Sequence, residues 1–87
     1  SIRKEAKAAV NDALSAKTKV VMITGDQFDT AYAIGQQLNI AKSPSDVFDC
    51  SKMHDYSDQE LEEIVENTTV FARVLPENKY KLLILPL

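Results

Sequence analysis

The chain has 87 residues, 45% of them hydrophobic, and 10 Lys and Arg against 13 Asp and Glu leave a net charge of −3. A chain this short buries only about 60% of the surface it exposes when unfolded, so it is one small domain, or a piece of a larger one, with a marginal core. No apolar run reaches the ~20 residues of a membrane span, the acidic total argues against non-specific nucleic-acid binding, and the lone Cys50 excludes an internal disulfide and suits a reducing, intracellular setting.

Ile2, Ala6, Ala9, Val10, Ala13 and Leu14 recur at helical spacing between charged residues, which predicts an amphipathic helix over 2–15 with no signal-peptide core. Val20-Val-Met-Ile23 then reads as a strand buried on both faces of a parallel sheet. After Thr24-Gly25-Asp26 the helical period returns over 27–39 through Phe28, Ala31, Tyr32, Ile34 and Leu38, with Asp26 capping that helix or lying just before it. A polar loop around Pro44 leads to a short strand near Val47–Cys50. Ser57-Asp-Gln-Glu60 fits a capping box at the head of a helix over 58–67, with Tyr56 and Leu61 placed as a hydrophobic staple. Val70-Phe-Ala-Arg-Val74 is the next strand, and Pro76 suits the first position of a last helix through Lys79 and Leu83.

Strands alternating with helices predict an α/β fold, a small, mainly parallel sheet flanked by helices and joined by right-handed crossovers. Ligands of such sheets bind beyond the carboxyl ends of the strands, which selects Thr24-Gly25-Asp26 and the stretch Leu75 to Lys79. Thr24 can donate a hydrogen bond, Gly25 lets backbone approach an anion, the next helix offers N–H groups, and Lys79 adds a full charge. The same residues also fit an ordinary strand-to-helix turn and a solvated lysine. Residues 53–72 hold six acids and no base, the pattern of a solvated helix face; the interleaved Leu61, Ile64 and Val65 have core spacing that a metal cavity would not require. His54 has no paired nucleophile, and no Cys/His cluster suggests a metal site.

The strings Lys19-Val-Val-Met-Ile-Thr-Gly-Asp26 and Val70-Phe-Ala-Arg-Val-Leu-Pro-Glu-Asn-Lys79 resemble, in order and separation, two signature segments of the phosphorylation domain of P-type cation-transporting ATPases. Ala31 to Ile40 and Tyr56 to Leu61 resemble the intervening helix and the next helix start, so the likeness runs over about residues 2–84. It implies an incomplete Rossmann-like, haloacid dehalogenase-like fold in the cytoplasmic part of a membrane pump. It implies further that Thr24 binds the transferred phosphoryl group, that Lys79 neutralises it, and that Gly25 and Asp26 lie by the nucleotide phosphates. Arg73 matches an arginine that reaches the ATP ribose, and Arg3 matches the end of an Asp-Pro-Pro-Arg hinge, although Ser1 and Ile2 stand where prolines would be. The usual glycine before the first strand is replaced within Ser15-Ala-Lys-Thr18.

Neither the Asp-Lys-Thr-Gly segment that carries the phosphorylated aspartate nor the Gly-Asp-Gly segment that holds magnesium occurs in the chain. The resemblance therefore implies an excised part of a pump, inactive by itself, whose parent uses Mg2+ and ATP and whose partners are the remaining pump domains, with no nucleic acid and no direct membrane contact. It also implies that the strand of the missing aspartate leaves the Val20–Ile23 edge unpaired, so that the chain is expected to self-associate through that edge or through the apolar 82–87 tail. A soluble phosphatase of the same superfamily would need a nucleophilic aspartate on an earlier strand. A non-enzymatic α/β interaction module would need no convergence of Thr24 with Lys79.

Overall fold

The computed structural model of the chain describes residues 4–76 and 79–86. In chain order it contains α1 (Lys4–Ser15), β1 (Thr18–Thr24), α2 (Phe28–Gln37), β2 (Val47–Asp49), α3 (Asp58–Asn67), β3 (Val70–Ala72) and β4 (Tyr80–Pro86), with short 3-10 helices at Pro44–Asp46 and Cys50–Asp55. The strands form one sheet in the order β2-β3-β1-β4. β1 and β2 both run parallel to β3, which sits between them, with Met22 opposite Val70 and Val47 opposite Val70.

The core lies on one face of this sheet. Val20, Met22, Val47, Val70 and Ala72 pack with Val10 and Ala13 of α1 and with Ala31 and Leu38 from α2 and its end. Gly35 brings α2 close to the sheet: a Cβ there would stand 2.9 Å from both Ala41 Cβ and Val70 Cγ2. α2 ends in a Schellman motif, Asn39 N–H donating to Gln36 O and Ile40 N–H to Gly35 O, with Asn39 at φ 62°. Lys17, just past α1, takes the same left-handed conformation at φ 58° without being glycine. That is the stretch in which the resembled family carries its glycine.

α3 starts as its sequence specifies. Glu60 N–H donates to Ser57 Oγ at 3.2 Å while Ser57 N–H donates to Glu60 Oε1 at 2.9 Å, so hydroxyl and carboxylate each satisfy a backbone donor. None of its residues is fully buried, and Tyr56 meets Phe48 edge to face at 5.7 Å.

The last element corrects the sequence reading. The segment expected as a helix from Pro76 through Leu83 is a strand from Tyr80, paired antiparallel to β1 over seven positions from Thr18↔Pro86 to Thr24↔Tyr80. The sheet is therefore mixed, and the Val20–Ile23 edge is covered by the chain's own residues. The expected unpaired edge, and self-association through it, are overturned. Tyr80-Lys-Leu-Leu-Ile-Leu85 is apolar on both of its faces apart from Lys81. As a strand it fills the hydrogen-bonding row of β1 while Tyr80 and Leu82 pack against the core.

Candidate functional site

β1 and β3 are parallel neighbours, so their carboxyl ends share one rim of the sheet. The chain leaving β3 folds back over the turn that follows β1. Arg73 N–H donates to Asp26 O at 3.0 Å and Val74 N–H to Thr24 O at 2.8 Å. Holding these bonds places Arg73 at φ 59°, a conformation that costs a non-glycine residue of order 1–3 kcal/mol and persists only where its surroundings over-determine it.

Lys79 reaches the same rim by a route the sequence reading did not foresee. Because β4 runs antiparallel to β1, it begins where β1 ends. The Thr24 hydroxyl, fully buried, donates to Lys79 O at 2.8 Å and accepts from Asp26 N–H at 3.2 Å, with Asp26 Oδ2 also 3.2 Å away. Gly25 N–H donates to the same Lys79 carbonyl at 3.1 Å. Thr24, Gly25, Asp26, Arg73 and the Lys79 backbone thus meet at one rim. Arg3, also singled out from the sequence, lies outside the described residues.

A cleft of about 450 Å³ opens on this rim, lined by Gly25, Asp26, Gln27, Thr30 and Arg73. Asp26 lies just before α2 and does not cap it; the N-cap is Gln27, which makes no side-chain cap bond. The first turn of α2 therefore presents N–H groups with no intrahelical acceptor toward the cleft, the arrangement that favours an anion. Arg73 adds a guanidinium that is half exposed, with Nε 3.7 Å from Asp49 Oδ2. Burial alone would raise the Asp49 pKa. The side-chain and backbone hydrogen bonds from Ser51, with the Arg73 and Lys52 charges, outweigh it and hold the carboxyl below the usual range.

The sequence reading missed Gln27, Thr30 and Asp49. Asp49 had a usable signal, since it ends the third parallel strand at the same rim, but that strand is only three residues long. Of the weaker candidates, His54 is exposed in the second 3-10 helix, and burial, then the Asp49 charge, raises the Cys50 thiol pKa and keeps it protonated.

The donor set suits an anion: a glycine turn, uncapped helix N–H groups, the Thr30 hydroxyl and a guanidinium line one open cleft, beside the Asp26 carboxylate. It does not fit a resident metal, for no group of three His, Cys, Asp or Glu among the described residues is placed to hold one. Nor is any helix among them long and apolar enough to cross a membrane.

The chain is 39% identical over 80 residues to a calcium-transporting ATPase of Bacillus subtilis, an alignment covering 92% of this chain and 9% of that protein. It is 35% identical over 82 residues to calcium-transporting ATPase 1 of Yarrowia lipolytica, and 38% identical over 81 to the cation-transporting ATPase pma1 of Synechocystis, each again with 92% of this chain and 9% of the relative. The resemblance drawn from the two signature strings holds: the chain corresponds to a segment of these P-type ATPases and spans about 9% of their length. No protein-family model matches it, and no solved structure matches it significantly.

Proposed function

We propose that the chain is part of the cytoplasmic phosphorylation domain of an ATP-driven cation pump, and that its rim cleft meets the phosphates and ribose of ATP. The observation that most supports this reading is the convergence of Thr24-Gly25-Asp26, Arg73 and the Lys79 backbone, three separate stretches of sequence, at one sheet rim. In this role Gly25 and the first turn of α2 receive phosphate oxygens, and Arg73 turns from Asp49 toward the ribose. Thr24 and Lys79 flank the transferred phosphoryl group, the Thr24 hydroxyl redirecting its hydrogen bond from the Lys79 carbonyl to a phosphoryl oxygen. Catalysis of such a transfer consists mainly of positioning and charge neutralisation. The acceptor aspartate and the ligands of Mg2+, whose charge helps neutralise the phosphates, come from pump segments outside this chain.

The test uses the full-length pump that contains this segment. Thr24→Ala and Lys79→Ala are each expected to slow phosphoenzyme formation from ATP at least tenfold per folded pump, and Arg73→Ala to weaken ATP affinity while leaving phosphoenzyme formation from inorganic phosphate near normal. Unchanged phosphoenzyme kinetics in the first two variants would overturn the assignment.

A further inference from the structure

Arg73 is claimed from two sides. It lines the rim cleft beside Gly25, Asp26, Gln27 and Thr30, and its Nε stands 3.7 Å from Asp49 Oδ2, which lies outside the cleft. Asp49 ends β2 and sits opposite Ala72, the residue before Arg73, in the β2–β3 register.

The two partners are held unequally. The Asp49 side chain is 13% exposed, and its other oxygen, Oδ1, accepts from Ser51 N–H at 3.0 Å and from Ser51 Oγ at 2.7 Å. The carboxylate thereby caps the second 3-10 helix and is fixed in place. The Arg73 backbone is fixed too, by its N–H bond to Asp26 O, but its side chain is 49% exposed. The guanidinium is the part free to swing. A separation of 3.7 Å is past hydrogen-bond range, and an ion pair with one solvent-exposed partner is weak. Such a pair biases Arg73 and yields to a ligand.

We propose that Asp49 is a positioning residue that sets nucleotide affinity at the rim: its carboxylate is the resting partner of Arg73, and the ribose of an incoming nucleotide takes the guanidinium from it. This role presupposes the ATP site proposed above and adds the group that tunes it. The apparent affinity of a ligand that needs the guanidinium is reduced by the fraction of molecules in which Arg73 is free. A weak, exposed pair leaves that fraction between about one fifth and one half, so that loss of the pair tightens nucleotide binding about two- to fivefold. Inorganic phosphate, which has no ribose, gains nothing.

Asp49→Asn in the full-length pump tests this, because the amide keeps the oxygen that caps the helix and loses the charge that holds Arg73. The ATP concentration giving half-maximal phosphoenzyme is expected to fall about two- to fivefold, while the rate at saturating ATP and the half-saturation by inorganic phosphate stay as they were. A half-saturation does not depend on how much of the pump is folded. Asp49→Ser, also a good cap, is expected to act alike, should the amide disturb the rim. In an Arg73→Ala background neither substitution is expected to shift the ATP half-saturation. A gain that persists without Arg73, or that extends to inorganic phosphate, would show Asp49 acting only as a nearby negative charge and would overturn the proposal. Unchanged or weaker ATP binding in both Asp49 variants, with Arg73→Ala alone weakening it, would overturn the proposal and leave the ATP site standing. If Arg73→Ala itself leaves ATP binding unchanged, the ATP site falls and the role of Asp49 falls with it.

Discussion

Thr24→Val tests the centre of the rim. The two side chains are nearly the same shape, so the change removes one hydroxyl from a fully buried position and little else. That hydroxyl donates to Lys79 O and accepts from Asp26 N–H. The carbonyl keeps a partner after the change, because Gly25 N–H donates to it as well. The Asp26 N–H loses its acceptor. Orphaning this partly buried donor costs about 1–3 kcal/mol, whereas Thr24→Ser keeps the hydroxyl and removes only a methyl group, worth about 1 kcal/mol. Valine is therefore expected to destabilise by about 2 kcal/mol. In a domain of this size that lowers Tm by about 8–16 °C, with serine falling by about half as much. Thermal unfolding followed by circular dichroism gives the ranking. Valine as stable as serine or more so would show that the hydroxyl bonds contribute nothing net, and the rim would have to be held by the Arg73 and Val74 backbone bonds alone.

Three further outcomes follow from other positions. Lys17→Gly should raise stability by about 0.5–1 kcal/mol over Lys17→Ala, since φ 58° strains any side chain by about 1–2 kcal/mol and glycine returns part of that as unfolded-state entropy; equal urea midpoints for the two would refute it. Gly35→Ala should destabilise by about 1–2 kcal/mol although alanine is the better helix former, because its Cβ meets two side chains at 2.9 Å, and adding Ala41→Gly should recover part of the loss, as a double-mutant cycle in urea would read. Backbone and then side-chain hydrogen bonds with Ser57 hold the Glu60 carboxyl below its ordinary 4.5. A depressed pKa means that the contribution is present above the unfolded value and lost as pH falls through the folded one, so Glu60→Gln, which keeps the box, should match the parent chain at pH 7 and lose less stability on acidification below about pH 4.5; parallel pH curves would count against this.

How much of the fold was legible depended on whether its signal was local. The box at Ser57 and Glu60 and the helix over 58–67 are written within four residues and appear as predicted. Residues 20–23 extend to Thr18–Thr24 because pairing with β4 carries the strand to both ends of its ladder, and residues 70–74 shorten to Val70–Ala72 because Arg73 must turn back over Asp26. The segment after Pro76 was misread for a different reason. An apolar run of six residues fits a strand and a buried helix equally, and periodicity alone does not separate them. What decides it is the unfilled row of hydrogen-bonding groups along β1, a tertiary fact that no window around Pro76 contains.

Lys79 reaches the rim of Thr24 and Gly25 despite that error, and the reason is topological. The rule that points to the carboxyl ends of parallel strands needs only that β1 and β3 run the same way, which the two successive crossovers through α2 and α3 and the buried, β-branched strands secure. Lys79 was placed at that rim by supposing that it began a helix there. The antiparallel strand keeps it there because a chain that reverses onto β1 must start from the end at which β1 stops, and the Thr24 and Gly25 bonds to the Lys79 carbonyl record that return. The two arrangements differ in what they ask of Thr24. As the head of a helix, Lys79 would leave the hydroxyl available to a ligand. As the lead-in to β4, its carbonyl accepts the hydroxyl's hydrogen bond, and under the proposed function a phosphoryl oxygen has to compete with that 2.8 Å bond at a fully buried side chain. Under the proposed function, anion affinity at this rim is therefore coupled to β4. A change that loosens β4 without reaching the cleft, such as Leu83→Pro, which breaks the ladder to β1, is expected to free the Thr24 hydroxyl and to tighten inorganic phosphate binding by the 87-residue chain. Phosphate titration followed through the Gly25 amide resonance reads that effect, and equal or weaker binding by a variant that keeps α2 folded would show that the Lys79 carbonyl and the anion do not compete.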